Sequence, residues 1–316
     1  MGFFLGIDTS NYTTSFSVYN HLNNTVFQSK RLLSVESGKL GLRQSDALFL
    51  HIKQAGDLIS DLLAKTDEKI TAIGVSTKPR NESGSYMPCF LAGKAIAKSC
   101  GAVLRVPVYE FSHQDGHIMA SLYSSDKLNY VNQRFIAFHV SGGTTEALLV
   151  TPQKENVFSV KIISQSLDLK AGQAVDRIGA MLSLSFPAGN ELESLALKSD
   201  KIYNPKPVMK GINCSLSGIE NKCRDMKDKG ENHEDIAKFC LEFIANTIIK
   251  MTSLSVEQHG CLPVVYAGGV MSNSIIRNII TQKFDNVSFA NPEFSSDNAA
   301  GVAILTAFKD GDFHGN

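Results

Sequence analysis

A chain of 316 residues, 43% of them hydrophobic, is long enough to bury two packed cores of ordinary globular character. Its 31 basic and 31 acidic residues cancel, which excludes a whole-molecule field drawing it onto nucleic acid or an acidic membrane; any RNA contact must be local or supplied by a partner. Six cysteines without C-x-x-C spacing, the absence of a charged leader and the lack of any run of about 18 apolar residues predict reduced thiols, a cytoplasmic location and no membrane span.

In chain order, residues 3–8, 14–19 and 25–30 predict an antiparallel meander. A helix over 42–64, a strand at 70–76, a helix at 90–100 and a strand at 103–108 follow. A second series repeats this order, with strands at 135–140, 146–151 and 158–164 and helices at 171–182, 189–198 and 234–257. It continues with a strand at 264–267, a helix at 274–282, a strand at 287–290 and a closing helix at 298–308. The alternation predicts an α/β chain with mixed sheets, divided into an N-terminal lobe of 1–127 and a C-terminal lobe of 128–316, with the closing helix packing back on the first. The Lys-rich stretch 198–210, with Pro205 and Pro207, reads as an insertion loop between helices.

The run Phe4-Leu5-Gly6-Ile7 leads into Ser10-Asn11-Tyr12-Thr13-Thr14, and Phe135-Ile136-Ala137-Phe138 leads into Ser141-Gly142-Gly143-Thr144-Thr145. In each, an apolar strand enters a tight polar turn and a second apolar run follows, the pattern of a β-hairpin whose tip offers N–H groups and hydroxyls to an anion. Two such hairpins half a chain apart predict a duplicated fold, a phosphate-holding turn in each lobe and a nucleotide in the cleft between them. In His113-Gln114-Asp115-Gly116-His117, two histidines four residues apart share a helix face; they can bind one metal ion, or simply cap and pack that helix. Gln114 stands where a metalloprotease has its general base, which argues against proteolysis. At Tyr266-Ala267-Gly268-Gly269, a strand running through two glycines into a helix brings backbone close to a ligand. Asp297 reads on its own as a cap of the closing helix.

Taken in order, these stretches resemble one family. Gly6-Ile7-Asp8-Thr9-Ser10, His113 to His117, Val140-Ser141-Gly142-Gly143 and Gly172-Gln173-Ala174-Val175-Asp176-Arg177 match it in the first part of the chain. Pro187-Ala188-Gly189, Ser215-Leu216-Ser217-Gly218, Ala267-Gly268-Gly269-Val270 with Asn273, and Pro292-Glu293-Phe294 with Ser296-Asp297-Asn298-Ala299-Ala300 match it in the rest. The chain is thereby similar to the TsaD family of tRNA threonylcarbamoyladenosine synthesis, once called O-sialoglycoprotein endopeptidases. The resemblance implies the duplicated actin-like ATPase and sugar-kinase fold. It also implies a transferase that passes a threonylcarbamoyl group from threonylcarbamoyl-AMP to the adenosine beside the tRNA anticodon. By the same resemblance, His113, His117 and Asp297 hold one iron or zinc ion. The turn of His139, Val140, Ser141, Gly142 and Gly143 receives phosphate or the carbamoyl group, and Asp176, Gly189, Gly268, Gly269 and Asn273 surround the sugar and base of an adenine nucleotide. Asp8 and Ser141 are the catalytic candidates, Asp8 being suited to placing magnesium against phosphate. Transfer RNA and TsaB- and TsaE-like proteins are the implied partners.

The departures are as informative. Asn11-Tyr12-Thr13-Thr14 replaces a Cys-Asp-Glu-Thr-like stretch and so removes two carboxylates, Thr144 replaces the His of a Ser-Gly-Gly-His-Thr turn, and Lys78-Pro79-Arg80-Asn81-Glu82-Ser83-Gly84 replaces a glycine-rich segment. They point to a divergent paralogue that keeps its nucleotide and metal sites. Its acceptor is then tRNA or another molecule taking a carbamoyl or phosphoryl group, and a nucleotide-binding protein without catalysis is the remaining alternative.

Overall fold

The structure is a computed structural model that describes residues 2–10, 12–34, 42–66, 69–295 and 299–311. In chain order its elements are β1 (Phe3–Asp8), β2 (Thr13–Asn20), β3 (Thr25–Leu32), α1 (Gln44–Leu63), β4 (Ile70–Lys78), α2 (Phe90–Leu104), β5 (Val108–Ser112) and α3 (His113–Ser124). There follow β6 (Phe135–Val140), β7 (Thr145–Gln153), β8 (Val157–Gln165), α4 (Ala171–Met181), α5 (Gly189–Ala196), β9 (Val208–Lys210), β10 (Asn213–Ser215) and α6 (Gly218–Asp228). The chain closes with α7 (His233–His259), β11 (Val264–Ala267), α8 (Ser274–Thr281), β12 (Val287–Phe289) and α9 (Ala300–Asp310).

The residues form two compact units, one of Met1–Val131, Pro152–Ser159 and Phe294–Asn316, the other of Asn132–Thr151 and Val160–Glu293. The first therefore takes in α9, as the closing helix was expected to pack, and also the tip between β7 and β8, which a single cut near residue 127 does not describe. Its sheet has the order β3-β2-β1-β4-β5. The strand β1 is buried along its whole length, paired antiparallel with β2 and parallel with β4, as a continuous apolar run at the centre of a covered sheet should be. Helix α9 crosses α3 at close range. A side-chain carbon on Gly301 would strike the carbonyl of Gly116 and come within 2.7 Å of Ala120 N, and one on Gly116, inside the His113-to-His117 motif, would lie 3.0 Å from Val302 Cγ2, so both glycines serve this helix crossing.

The second unit has the order β12-β11-β6-β7-β8, the same arrangement with β6, β7, β8, β11 and β12 in the places of β1 to β5. Its core gathers on α7, where Ile236, Leu241, Phe243, Ile244, Ile248 and Met251 are buried. Among the described residues α7 is the one helix long and apolar enough to cross a membrane, and its burial makes it the central helix of this unit.

Local expectations change in several places. Residues 103 and 104 are the end of α2, not a strand: the helix runs on until Arg105 turns left-handed at φ 56°, and Val103 is left 82% exposed. Helix α6 went unread because only Ile219 and Cys223 on it are buried, too few to mark an apolar stripe. The insertion loop ends in the short β9–β10 hairpin. The closing helix starts at Ala300, and residues 296–298, where its start was expected, lie outside the described residues.

Candidate functional sites

In the first unit, Ser112 ends β5 and caps α3. Its hydroxyl accepts from Asp115 N and the Asp115 carboxylate accepts from Ser112 N, both at 3.1 Å, a reciprocal cap that fixes the first helical turn. The loop from Lys78 is fastened to that turn, with Asn81 Nδ2 donating to Asp115 Oδ2 at 2.6 Å and Gln114 N to Pro79 O at 3.0 Å. His113 and His117 follow on one face, their Nε2 atoms 2.9 Å apart. His113 Nδ1 lies 2.8 Å from Asp8 Oδ2. Asp8 also accepts from Ser76 Oγ at 2.6 Å and, on its other oxygen, from Ser10 N at 2.8 Å. Burial alone would push the Asp8 carboxyl up, yet the charge and hydrogen bond of His113 and the bonds from Ser10 and Ser76 together hold it below the usual carboxylate range.

An ionised Asp8 makes Nδ1 of His113 the donor, so that the proton a metal would displace is the one on Nε2. An ion about 2.0–2.1 Å from both Nε2 atoms would see them about 90° apart. The pair thus fits one divalent cation, with the Asp8 carboxylate holding the His113 ring in register. Asp297, the expected third ligand, lies outside the described residues, and among the described residues no group of three His, Cys, Asp or Glu side chains converges. Asp8 itself is committed to His113, Ser76 and Ser10, an orienting place where a catalytic one was expected. The buried hydroxyl of Ser10 has no partner among the described residues.

Of the two positions expected to carry the missing acidic pair, Tyr12 is half-buried in the turn before β2, its carbonyl accepting from Leu33 N at 2.7 Å, and Thr13 is structural. Thr13 and Thr14 lie buried in β2, and Thr14 Oγ1 is 2.7 Å from His51 Nδ1 and accepts from Gln54 Nε2 at 2.6 Å. Both partners are on α1, so this segment clamps helix to sheet.

In the second unit, β6 ends in a turn that is closed on itself. Ser141 N donates to Thr144 O at 2.7 Å, and Ser141 Oγ accepts from Gly143 N at 3.3 Å and Thr144 N at 3.2 Å. The N–H groups expected to meet an anion are thereby turned onto Ser141. Gly172 at the start of α4 backs this turn, donating to Ser141 O at 3.1 Å. Gly268, at φ 99°, lies against the backbone of Val140, where a side chain would collide; its role is strand-end packing.

Beside the turn is a cavity of about 270 Å³, and Gly142, Asp176, Gly189, Gly269 and Asn273 of the expected residues line it. His139, Val140, Ser141, Gly143 and Gly268 do not. Asp176 Oδ1 accepts from Ala188 N at 3.0 Å and so shapes the turn before α5. Asn273 caps α8, accepting from Ile276 N at 3.1 Å. Glu193, which no motif pointed to, lines the same cavity and accepts from Ser274 N at 2.7 Å; its one sequence signal is its place a helical turn after Gly189. The start of α8 is therefore closed by Asn273 and Glu193. No Lys, Arg or His lines the cavity among the described residues, so its chemistry is that of an acceptor for hydroxyl and amino groups rather than of a phosphate clamp.

Two five-stranded sheets in one repeated order define the duplicated α/β class of actin-like ATPases and sugar kinases. Solved structures share the fold: full-length HypF in its phosphate- and nucleotide-bound form at TM-score 0.59 and 15% identity, over 100% of this chain and 47% of that one. HypF of T. kodakarensis aligns at TM-score 0.64 and 14% identity, over 97% of this chain and 47% of that one. The ROK hexokinase of Thermus thermophilus aligns at 0.55 and 11%, over 98% and 100%. This chain thus spans about half the length of the HypF chains it matches. By sequence, residues 38–304 match the TsaD family, tRNA N6-adenosine threonylcarbamoyltransferase. The chain belongs to that family.

Proposed function

We propose that the protein transfers a threonylcarbamoyl group from threonylcarbamoyl-AMP to the N6 amine of an adenosine in tRNA. The observation that carries this reading beyond family membership is the cation-free cavity of the second unit. Asp176 and Glu193 each spend one carboxylate oxygen on a backbone N–H and keep the other for the ribose hydroxyls of an adenylate. Gly142 and Gly269 let a ligand approach the backbone, and a side-chain carbon on either would meet nothing within 4 Å. In the reaction, the N6 nitrogen bonds to the acyl carbon, the bond from that carbon to the phosphate oxygen breaks, AMP leaves, and N6 gives up one proton. A divalent ion, when bound, supplies Lewis acidity toward an acyl or phosphate oxygen. His113 and His117 would hold that ion, and Asp8 would keep the His113 ring turned toward it.

A second reading, transfer to another amine or hydroxyl, is favoured by the segment entering β2, where Tyr12 and a buried Thr13 stand in place of an acidic pair. The test incubates the purified protein with threonylcarbamoyl-AMP and an unmodified tRNA transcript, with and without TsaB- and TsaE-like partners, and follows tRNA nucleosides by mass spectrometry. Threonylcarbamoyladenosine above the protein-free background supports the first reading. Consumption of the adenylate with unmodified tRNA supports the second.

A further inference from the structure

The insertion between α5 and β9 is an ordered strap along α7. Asp235, Phe239, Glu242 and Asn246 recur at helical spacing on one face of α7, and each holds the strap. Asp235 accepts from Ser199 Oγ at 2.6 Å and pairs with Lys201 at 2.8 Å. The Phe239 ring meets Tyr203 edge-on at 5.5 Å. Glu242 accepts from Tyr203 N at 2.8 Å, and Asn246 Nδ2 donates to Pro205 O at 3.1 Å.

From Ile202 to Lys210 the residues then alternate: Tyr203, Pro205, Pro207 and Met209 are half-buried, while Ile202, Asn204, Lys206, Val208 and Lys210 are exposed. This is the two-residue period of an extended chain lying on a surface. The outward face is basic. Residues 198–210 hold Lys198, Lys201, Lys206 and Lys210 against Asp200 alone, and Lys198, Lys206 and Lys210 have no side-chain partner among the described residues. Protection of a short edge strand would account for Lys210 and Pro207 on and beside β9. It does not account for Lys198 and Lys206, which lie off that strand, nor for Ile202, 90% exposed.

We propose that the outward face of residues 198–210 is a docking surface for the phosphate backbone of RNA, with Lys198, Lys206 and Lys210 each neutralising a phosphate. Charge complementarity selects this occupant: the chain as a whole is neutral, so a polyanion must be held by a local patch. The inference rests on the reading that tRNA is the acceptor.

The test titrates an unmodified tRNA transcript into the full chain between about 50 and 200 mM salt, the range over which phosphate contacts dominate the change in affinity. In the variant Lys198→Ala, Lys206→Ala, Lys210→Ala, the slope of log affinity against log salt should flatten by about 2 to 3, or about 0.7 to 0.9 for each lost contact. The matched variant Lys53→Ala, Lys69→Ala, Lys98→Ala, which loses exposed charges from the first unit, should keep the wild-type slope. An unchanged slope in the strap variant, or equal flattening in both, overturns the surface while leaving tRNA as acceptor. A strap variant that loses polyglutamate binding but not tRNA binding assigns the face to an acidic protein and also overturns it. Wild-type protein that binds no tRNA sinks the acceptor reading and the surface together.

Discussion

The two units repeat one strand order, yet the turns leaving their first strands do opposite things with their polar atoms. After β1, the buried carboxylate of Asp8 gathers Ser10 N, Ser76 Oγ and His113, so this strand end is charged and committed to orienting an imidazole. After β6, the repeat that sets Ser141 opposite Ser10 puts His139 in the place of Asp8, and it is the Ser141 hydroxyl that gathers the turn N–H groups. A single backbone pattern has thus yielded a buried charged centre in one unit and a neutral turn beside a cavity in the other. The difference lies in the residue at that place, an acid in one unit and a histidine in the other.

The sharpest way to break this contrast is to make the first turn neutral. Asp8→Ala removes the acid from a buried pair and leaves His113, Ser76 and Ser10 N without their acceptor. Loss of one partner of a buried pair costs about 3–5 kcal/mol, and urea denaturation should show a midpoint shift of that size. The same change should weaken any bound iron or zinc by about 10- to 100-fold, the usual effect of removing the group that orients a ligating histidine. His113→Ala with His117→Ala should abolish metal binding and, because it strips the buried Asp8 carboxylate of its ion-pair partner, should cost stability of the same order; full metal content in that double variant would refute the cation site.

Restoring the acidic pair tests the contrast from the other side. Since Thr13 is only 7% exposed in β2, on the face opposite the Thr14 clamp, Thr13→Glu places an uncompensated carboxylate inside the fold, at a cost no smaller than the about 1–3 kcal/mol of an unsatisfied polar group. Lower thermal stability without gained threonylcarbamoyl transfer is the expected outcome of Tyr12→Asp with Thr13→Glu. An undiminished melting temperature would show that the strand opens to accept the charge.

In the second unit, the contrast is sharpened by two glycines on and beside one turn. A side-chain carbon on Gly172 would lie 2.6 Å from Gly142 N, whereas one on Gly143 would meet nothing within 4 Å. Gly172→Ala should displace the turn and weaken adenosine binding several-fold, while Gly143→Ala should leave both fold and binding unchanged. Isothermal titration with adenosine separates the two, and equal effects would mean that the turn does not shape the cavity.

What could be read in the sequence follows the reach of each interaction. The strands β1, β6 and β11 were bounded correctly because apolar runs end there at polar turns, a signal contained within a few residues. The helical face shared by His113 and His117 was legible for the same reason. The acid that orients His113 was not, because Asp8 stands 105 positions away and nothing in its neighbours marks the pairing. The glycine between the two histidines looked like part of a ligand motif, and its physical cause is the approach of Val302 on α9. Glu193 closes the start of a helix 81 positions later, a contact that only the packing of α5 against that segment creates.

The smallest effect concerns the carboxylate with which the second unit does gather donors. Asp168 accepts from Leu169 N at 2.6 Å, Leu216 N at 2.7 Å and Ser217 Oγ at 2.6 Å, tying the loop after β8 to the segment that starts α6. Partial burial pushes its carboxyl up, but the bonds from Ser217, Leu216 and Leu169 outweigh this, and the net direction is down from the ordinary value of 3.8. A carboxyl lowered on folding contributes stability that is complete above its unfolded value and is lost as pH falls through its folded one. The contribution of Asp168 should therefore be constant at neutral pH and disappear only below about 3.8, and it should be small because water reaches the group. Asp168→Asn should lower the melting temperature slightly at pH 7, and the difference should shrink as pH falls below 3.8. A variant as stable as wild type at pH 7 would show that these bonds leave Asp168 no advantage over a neutral acceptor, and that Asp8 owes its different weight to burial.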